Sequence, residues 1–212
     1  MKRNKLRIAI GVVLAFIGIA LIAVSVFMNF VQLSKKKKAL AVFNIKQASE
    51  LIESNISEKH SEEKLDSGIA SADDETEESK DFYDTSYVLK IPKIDSREPV
   101  VEGTDKKSLS AALGHEIGTA CPGEVGNCVI AGHRNYTFGK YFNRLGEVEV
   151  GDMIYIDTPV ETFSYQVSEI KIVKPEDVEI MEDTDEEILT LYTCTPIYIA
   201  THRLVVIAER IA

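Results

Sequence analysis

EILTLYTCTPIYIATHRLVVIAER, Glu187 to Arg210, holds two runs with the texture of β-strands, the first with a two-residue period. In the first, Ile188, Thr190, Tyr192 and Cys194 fall on one face while Leu189, Leu191 and Thr193 fall on the other. The second, HRLVVIAER, is rich in β-branched residues, and TPIYIATH, residues 195–202, connects the two. If the strands are neighbours, Cys194 and Arg203 occupy adjacent strand ends and can face one pocket. Taken alone, Cys194 also reads as a small buried residue, since free cysteine is among the most buried types. A nucleophilic thiol needs a nearby acid or base and a group that stabilises charge on the attacked carbonyl.

Upstream, the same texture recurs in YVLKI, PVVEG, NCVIAGH, DMIYID and TFSYQVSEIKIV, separated by turn residues. In DMIYID, Met153, Tyr155 and Asp157 share one side and Ile154 and Ile156 the other. Seven or eight short strands in about 125 residues imply a mainly β domain, either a barrel or a sandwich. Short helices are expected near DKKSLSAAL, residues 105–113, and FGKYFNRL, residues 138–145. In the second of these, Phe138, Tyr141, Phe142 and Leu145 lie at helical spacing and are read as core. Within NCVIAGHR, Val129, Ala131 and His133 share a face, so His133 leaves an apolar strand at its edge. Three strand ends bearing His, Cys and Arg are a more specific signal than any one of them.

The N-terminal part is of another kind. After the basic tail 1–7, IAIGVVLAFIGIALIAVSVF from Ile8 to Phe27 contains 20 residues without a charge. At about 1.5 Å per residue it matches the roughly 30 Å hydrocarbon core of a bilayer. It is read as a transmembrane helix within 8–31. A cleaved signal peptide is the competing reading, although its apolar region is typically only about 7–15 residues. Lys2, Arg3, Lys5 and Arg7 precede the span and Lys35, Lys36, Lys37 and Lys38 follow it, so flanking charge leaves its orientation open. Residues 32–56 are expected to form a juxtamembrane helix, with Leu40, Phe43, Ile45, Leu51 and Ile52 as its apolar positions. Residues 57–86 are acidic, serine-rich and poor in large apolar groups, the composition of a flexible linker. The net charge of −10 argues against nucleic acid as a partner, because phosphate binding needs a basic surface.

TLYTC with its downstream arginine, GTACPGEVGNCVIAGHRNYTF and YVLKIPKIDSREPVVEGTD together resemble the sortases, cysteine transpeptidases of Gram-positive cell surfaces. The resemblance spans Tyr87 to Ala212, making 87–212 the catalytic domain. It implies an eight-stranded sortase-type β-barrel with short helices behind one N-terminal transmembrane helix. It also implies Cys194 as nucleophile, His133 as catalytic histidine and Arg203 as catalytic arginine. The implied substrates are LPxTG-like sorting-signal proteins, cleaved between Thr and Gly through a thioacyl intermediate. A peptidoglycan precursor amine or a pilin lysine would be the acceptor, at the cell membrane with the catalytic domain outside. About fifteen residues, KPEDVEIMEDTDEEI, separate the strand ending at Val173 from the TLYTC strand. That leaves no room for the helical insertion of class B, and no aromatic lid motif of class C appears. The chain looks most like class D, with class A behind it. Cys121 departs from the family's pattern, in which leucine is common at that place.

No cofactor is expected. The acidic stretch 174–188 is weighed as a calcium loop and read as solvated, since it lacks DxDxDG spacing. His115, Cys121, Cys128 and His133 are weighed as zinc ligands, but they lack a close CxxC pair. A Cys121–Cys128 disulfide and two free buried thiols both remain open. His202 and Arg134 should point away from the face carrying Arg203 and His133, while His60 lies in the linker and His115 is read as structural.

Overall fold

A computed structural model describes residues 2–59, 85–134 and 140–211. The chain divides into two units, Met1–Lys37 and Lys38–Ala212. Helix α1 runs without a break from Lys2 to Lys59, so the expected membrane span and juxtamembrane helix are one element. Among the described residues it is the one helix long and apolar enough to cross a membrane. Leu14, Phe16, Leu21 and Phe27 are all exposed, an arrangement that water disfavours and a hydrocarbon phase accepts. Further along, Ala39 and Phe43 are buried within the second unit, one helical turn apart and thus on one stripe. Ile45, grouped with Phe43 by hydropathy, is instead 70% exposed because it lies off that stripe. The first residues of the expected linker, 57–59, are helical, and 60–84 fall outside the described residues.

Eight strands follow: β1 (Thr85–Ile91), β2 (Ser96–Glu102), β3 (Leu113–His115), β4 (Gly126–Ala131), β5 (Met153–Asp157), β6 (Thr162–Val173), β7 (Glu187–Thr195) and β8 (His202–Arg210). They close into a barrel in the order β1-β2-β3-β4-β7-β8-β6-β5, with β5 pairing back to β1. Pairs β2·β3 and β4·β7 are parallel and the other six antiparallel. Closure leaves no free edge for another chain to pair with. The barrel alternative is therefore the one realised, and the eighth strand is the three-residue β3, which begins at the last residue of the stretch expected to be helical.

Alternation fills the barrel. Ile130, Leu189, Leu191, Leu204 and Val206 point inward and are at most 6% exposed. Helix α2 occupies only Lys106–Leu109, where Asp105 caps it by accepting hydrogen bonds from the amides of Lys107 and Ser108. The second expected helix is not formed over its described residues 140–145. Tyr141 has φ 47°, which ends any right-handed turn there, and a 3-10 turn follows at Leu145–Glu147. Tyr141, Phe142 and Leu145 are nonetheless core, the last two fully buried, while Phe138 lies outside the described residues.

Phe142 explains a glycine just beyond β4. A Cβ on Gly132 would lie 2.5 Å from Phe142 Cδ2 and 2.6 Å from Leu113 Cδ2, with no slack on either side. Gly132→Ala should therefore destabilise the full-length protein by about 1–3 kcal/mol through overpacking. Urea unfolding in detergent should show a lowered midpoint with an unchanged slope, and a midpoint equal to wild type would contradict this packing.

Candidate active site

The site is built from three adjacent strands. Across β4·β7, Val129 pairs with Thr190 and Ala131 with Tyr192. Across β7·β8, Thr190 pairs with Ile207, Tyr192 with Val205 and Cys194 with Arg203. Because Cys128, Ile130, Leu189 and Leu191 belong to the barrel core, their neighbours Val129, Ala131, Thr190, Tyr192 and Cys194 face outward. The outward face of the barrel wall thus carries successive rows, Val129–Thr190–Ile207 and then Ala131–Tyr192–Val205, most of whose members are buried. Continuing the β4·β7 register by two residues sets His133 beside Cys194, so the next row reads His133–Cys194–Arg203.

Pairing persists past the end of β4. The Gly132 amide donates to the Tyr192 carbonyl at 3.1 Å, and the Thr193 hydroxyl donates to the Gly132 carbonyl at 2.6 Å. His133 is exposed, while Cys194 and Arg203 are half-buried, so all three remain reachable from solvent. Arg203 Nη1 donates to the carbonyl of His202 at 3.2 Å. Register sets the thiol opposite the guanidinium, and its extension past the end of β4 brings the imidazole to the same rim.

Tyr192 forms the floor one row below, about 7 Å along the strand from the thiol. Its hydroxyl donates to Glu116 Oε2 at 3.2 Å, and Thr104 donates to the same oxygen at 2.9 Å. Burial, then the Glu116 carboxylate, push its phenol up to about 12, with Arg203 pulling the other way. The phenol is therefore a neutral donor at any physiological pH. Alternation placed Tyr192 on the Cys194 face in the sequence, but nothing there pointed to Glu116.

The other candidates are placed elsewhere. His115 is 2% exposed; its Nδ1 lies 3.1 Å from Glu102 Oε1 and its Nε2 3.0 Å from the Ala120 carbonyl. Tyr87 presents its ring edge-on to it at 6.0 Å. Both ring nitrogens are thus engaged in tying β3 to its surroundings, which is the structural role expected of it. Cys121 and Cys128 are free thiols, and burial, then Cys121 and Glu102, push the Cys128 thiol well above its usual range. Among the described residues no three His, Cys, Asp or Glu side chains are grouped to hold a metal. His202 is exposed against Thr201, and Arg134 points inward to Thr195, each away from the row.

The acidic segment before β7 is tied down by a residue the sequence did not single out. Asn127 Nδ2 donates to the carbonyls of Ile180 and Glu182, each at 3.0 Å, and its amide donates to Asp183 Oδ1 at 3.3 Å. The stretch is thus pinned to the start of β4 rather than merely solvated.

The sortase-domain family model matches residues 89–211. Sortase D of Bacillus subtilis is 33% identical over 158 residues, covering 72% of this chain and 77% of its own length. Among solved structures, the Sortase D5 transpeptidase of Clostridium perfringens is 29% identical with a TM-score of 0.66, covering 84% of this chain and 99% of that one. Sortase A of Corynebacterium diphtheriae is 37% identical with a TM-score of 0.58, over 60% of this chain and 61% of that one. With its closed eight-stranded barrel, the chain belongs to the sortase family of cysteine transpeptidases.

Proposed function

We propose that the chain is a membrane-anchored transpeptidase that cleaves an LPxTG-like sorting signal between Thr and Gly and transfers the acyl part to an amine. The observation that carries this is the direct opposition of Cys194 and Arg203 across β7·β8, with His133 on the same row. The Cys194 thiolate attacks the threonine carbonyl carbon, and the C–N bond to glycine breaks as a thioester forms. His133 donates the proton that lets the glycine amine leave, then accepts one from the incoming amine as it attacks the thioester. Arg203 hydrogen-bonds the oxyanion of each tetrahedral intermediate, a task its fixed charge and planar donors suit better than a lysine. The acceptor is a peptidoglycan precursor amine or a lysine of another surface protein.

The apolar part of α1, within 8–31, anchors the enzyme in the cell membrane. Residues 32–56 continue it, the acidic stretch between α1 and β1 tethers the barrel, and the barrel carries the chemistry outside the cell. The Bacillus and Clostridium relatives, named Sortase D and Sortase D5, support a class D-like enzyme.

The full-length chain in detergent, given a fluorogenic LPxTG peptide and an amine acceptor, should lose all transfer on Cys194→Ala. His133→Ala and Arg203→Ala should each reduce kcat about 100- to 1,000-fold, while Cys121→Ala leaves it intact. Full turnover by Cys194→Ala would refute the nucleophile assignment. Separately, iodoacetamide should modify Cys194 in the folded protein and Cys128 only after unfolding, because burial suppresses the Cys128 thiolate. Mass mapping that found Cys128 modified first would contradict the placement of the two thiols.

A further inference from the structure

His133 and Cys194 share a row, yet the β4·β7 ladder ends at the pair Ala131–Tyr192, before either of them. The last backbone bond between the two strands is the one from the Gly132 amide to Tyr192. Beyond it, strand pairing no longer fixes how far the imidazole stands from the thiol. Two side-chain ties continue where the ladder stops. Thr193 donates to the Gly132 carbonyl at 2.6 Å, and Arg134 Nη1 donates to Thr195 Oγ1 at 2.7 Å. Gly132 and Arg134 flank His133 in the chain, as Thr193 and Thr195 flank Cys194. The row is therefore bracketed before and behind, from the inward side, where neither tie obstructs the outer face.

We propose that the Arg134–Thr195 hydrogen bond is a clasp that fixes the separation of His133 and Cys194, with Arg134 a positioning residue for the transfer reaction; this builds on the roles assigned to those two side chains above. The guanidinium has a prepared seat. A Cβ on Gly146 would stand 2.9 Å from Arg134 Nη2 and 3.7 Å from Leu204 Cδ2, so the missing side chain at 146 is the space the guanidinium fills. Arg134 Nε is buried with no hydrogen-bond partner among the described residues, and burial draws the guanidinium pKa below its usual value. Seating a cation against a neutral hydroxyl costs free energy that a leucine in the same space would not, so stability alone does not account for it. A planar guanidinium with Nη1 bonded to Thr195 and Nη2 packed beside Gly146 fixes a distance better than a flexible ammonium does. Displacing a reacting group by about 1 Å can lower a rate roughly 100-fold.

The test uses the full-length chain in detergent with Arg134→Gln, Thr195→Val, their double variant, Thr195→Ser and Gly146→Ala. Two quantities are measured for each: kcat and KM for LPxTG peptide transfer, and the pH profile of Cys194 alkylation by iodoacetamide with and without His133→Ala, the adduct being located by peptide mass mapping. Arg134→Gln and Thr195→Val should each lower kcat about 10- to 100-fold with KM changed less than about threefold. The double variant should be no worse than the weaker single, because both remove one bond. Thr195→Ser should keep most activity, and Gly146→Ala, which crowds the seat without removing the arginine, should fall between. The alkylation profile should respond to His133→Ala in the wild-type background and not in Arg134→Gln. Single variants with wild-type kcat and profile, or losses that multiply in the double variant, would overturn the clasp. A wild-type chain that transfers no peptide would refute the transpeptidase reading instead, with the alkylation profiles still deciding the clasp. If Arg134→Gln does not fold, Thr195→Val and Gly146→Ala decide the outcome on the same two readouts.

Discussion

The double pairing of β7 is the constraint on which the rest depends. Its parallel neighbour β4 brings two C-terminal strand ends together, and its antiparallel neighbour β8 adds an N-terminal one. Residues 133, 194 and 203, far apart or separated by a turn in the chain, therefore meet at one rim. Were β4 antiparallel to β7, His133 would stand roughly 20 Å from Cys194, at the far end of the strand. A slip of one residue in β7 would carry Cys194 into the core and turn Leu191 and Leu189 to the outside. The buried leucines thus enforce the register that exposes the thiol, so one alternation governs both the core packing and the facing of Cys194.

Closure of the barrel makes that register hard to change. Each strand is held on both sides, so a slip at β7 would have to be matched by β4 and β8 together. The close packing of Gly132, Phe142 and Leu113 locks the same corner from within. Past this corner the sheet ends, and side chains take over from backbone: Thr193 on Gly132, Arg134 on Thr195, and Tyr192 on Glu116. The three ties surround the thiol on the inward side and one row below, leaving the row reachable from solvent on its outward side.

Much of this was legible in the sequence, for stated reasons. The β-branched and aromatic runs TFSYQVSEIKIV and HRLVVIAER, bounded by turn residues, coincide with the observed strands β6 and β8. Alternation alone set Cys194, Tyr192 and Thr190 on one face of β7, and His133 with Ala131 and Val129 on one face of β4. Strand β3 was not legible, because three residues are too short to show a period and Leu113–His115 is defined by its partners β2 and β4. The helix expected at 138–145 failed at Tyr141, whose positive φ follows from the tertiary seat of Phe142 and Leu145 rather than from local propensity. The Arg134–Thr195 and Asn127–Ile180 contacts join residues more than fifty positions apart, so they exist only once β4 and β7 are known to be neighbours. The sortase resemblance supplied the roles of Cys194, His133 and Arg203, and alternation supplied their facing.

The central claim is that the outward thiol of β7 carries the acyl group. The most direct measurement is intact-mass analysis with peptide mapping of the full-length protein quenched in acid during turnover of an LPxTG peptide without acceptor. The account predicts a thioester-linked adduct, labile to hydroxylamine and with the mass of the peptide's acyl part, on Cys194 alone. An adduct on Cys121, or turnover with no thioester on any cysteine, would contradict it.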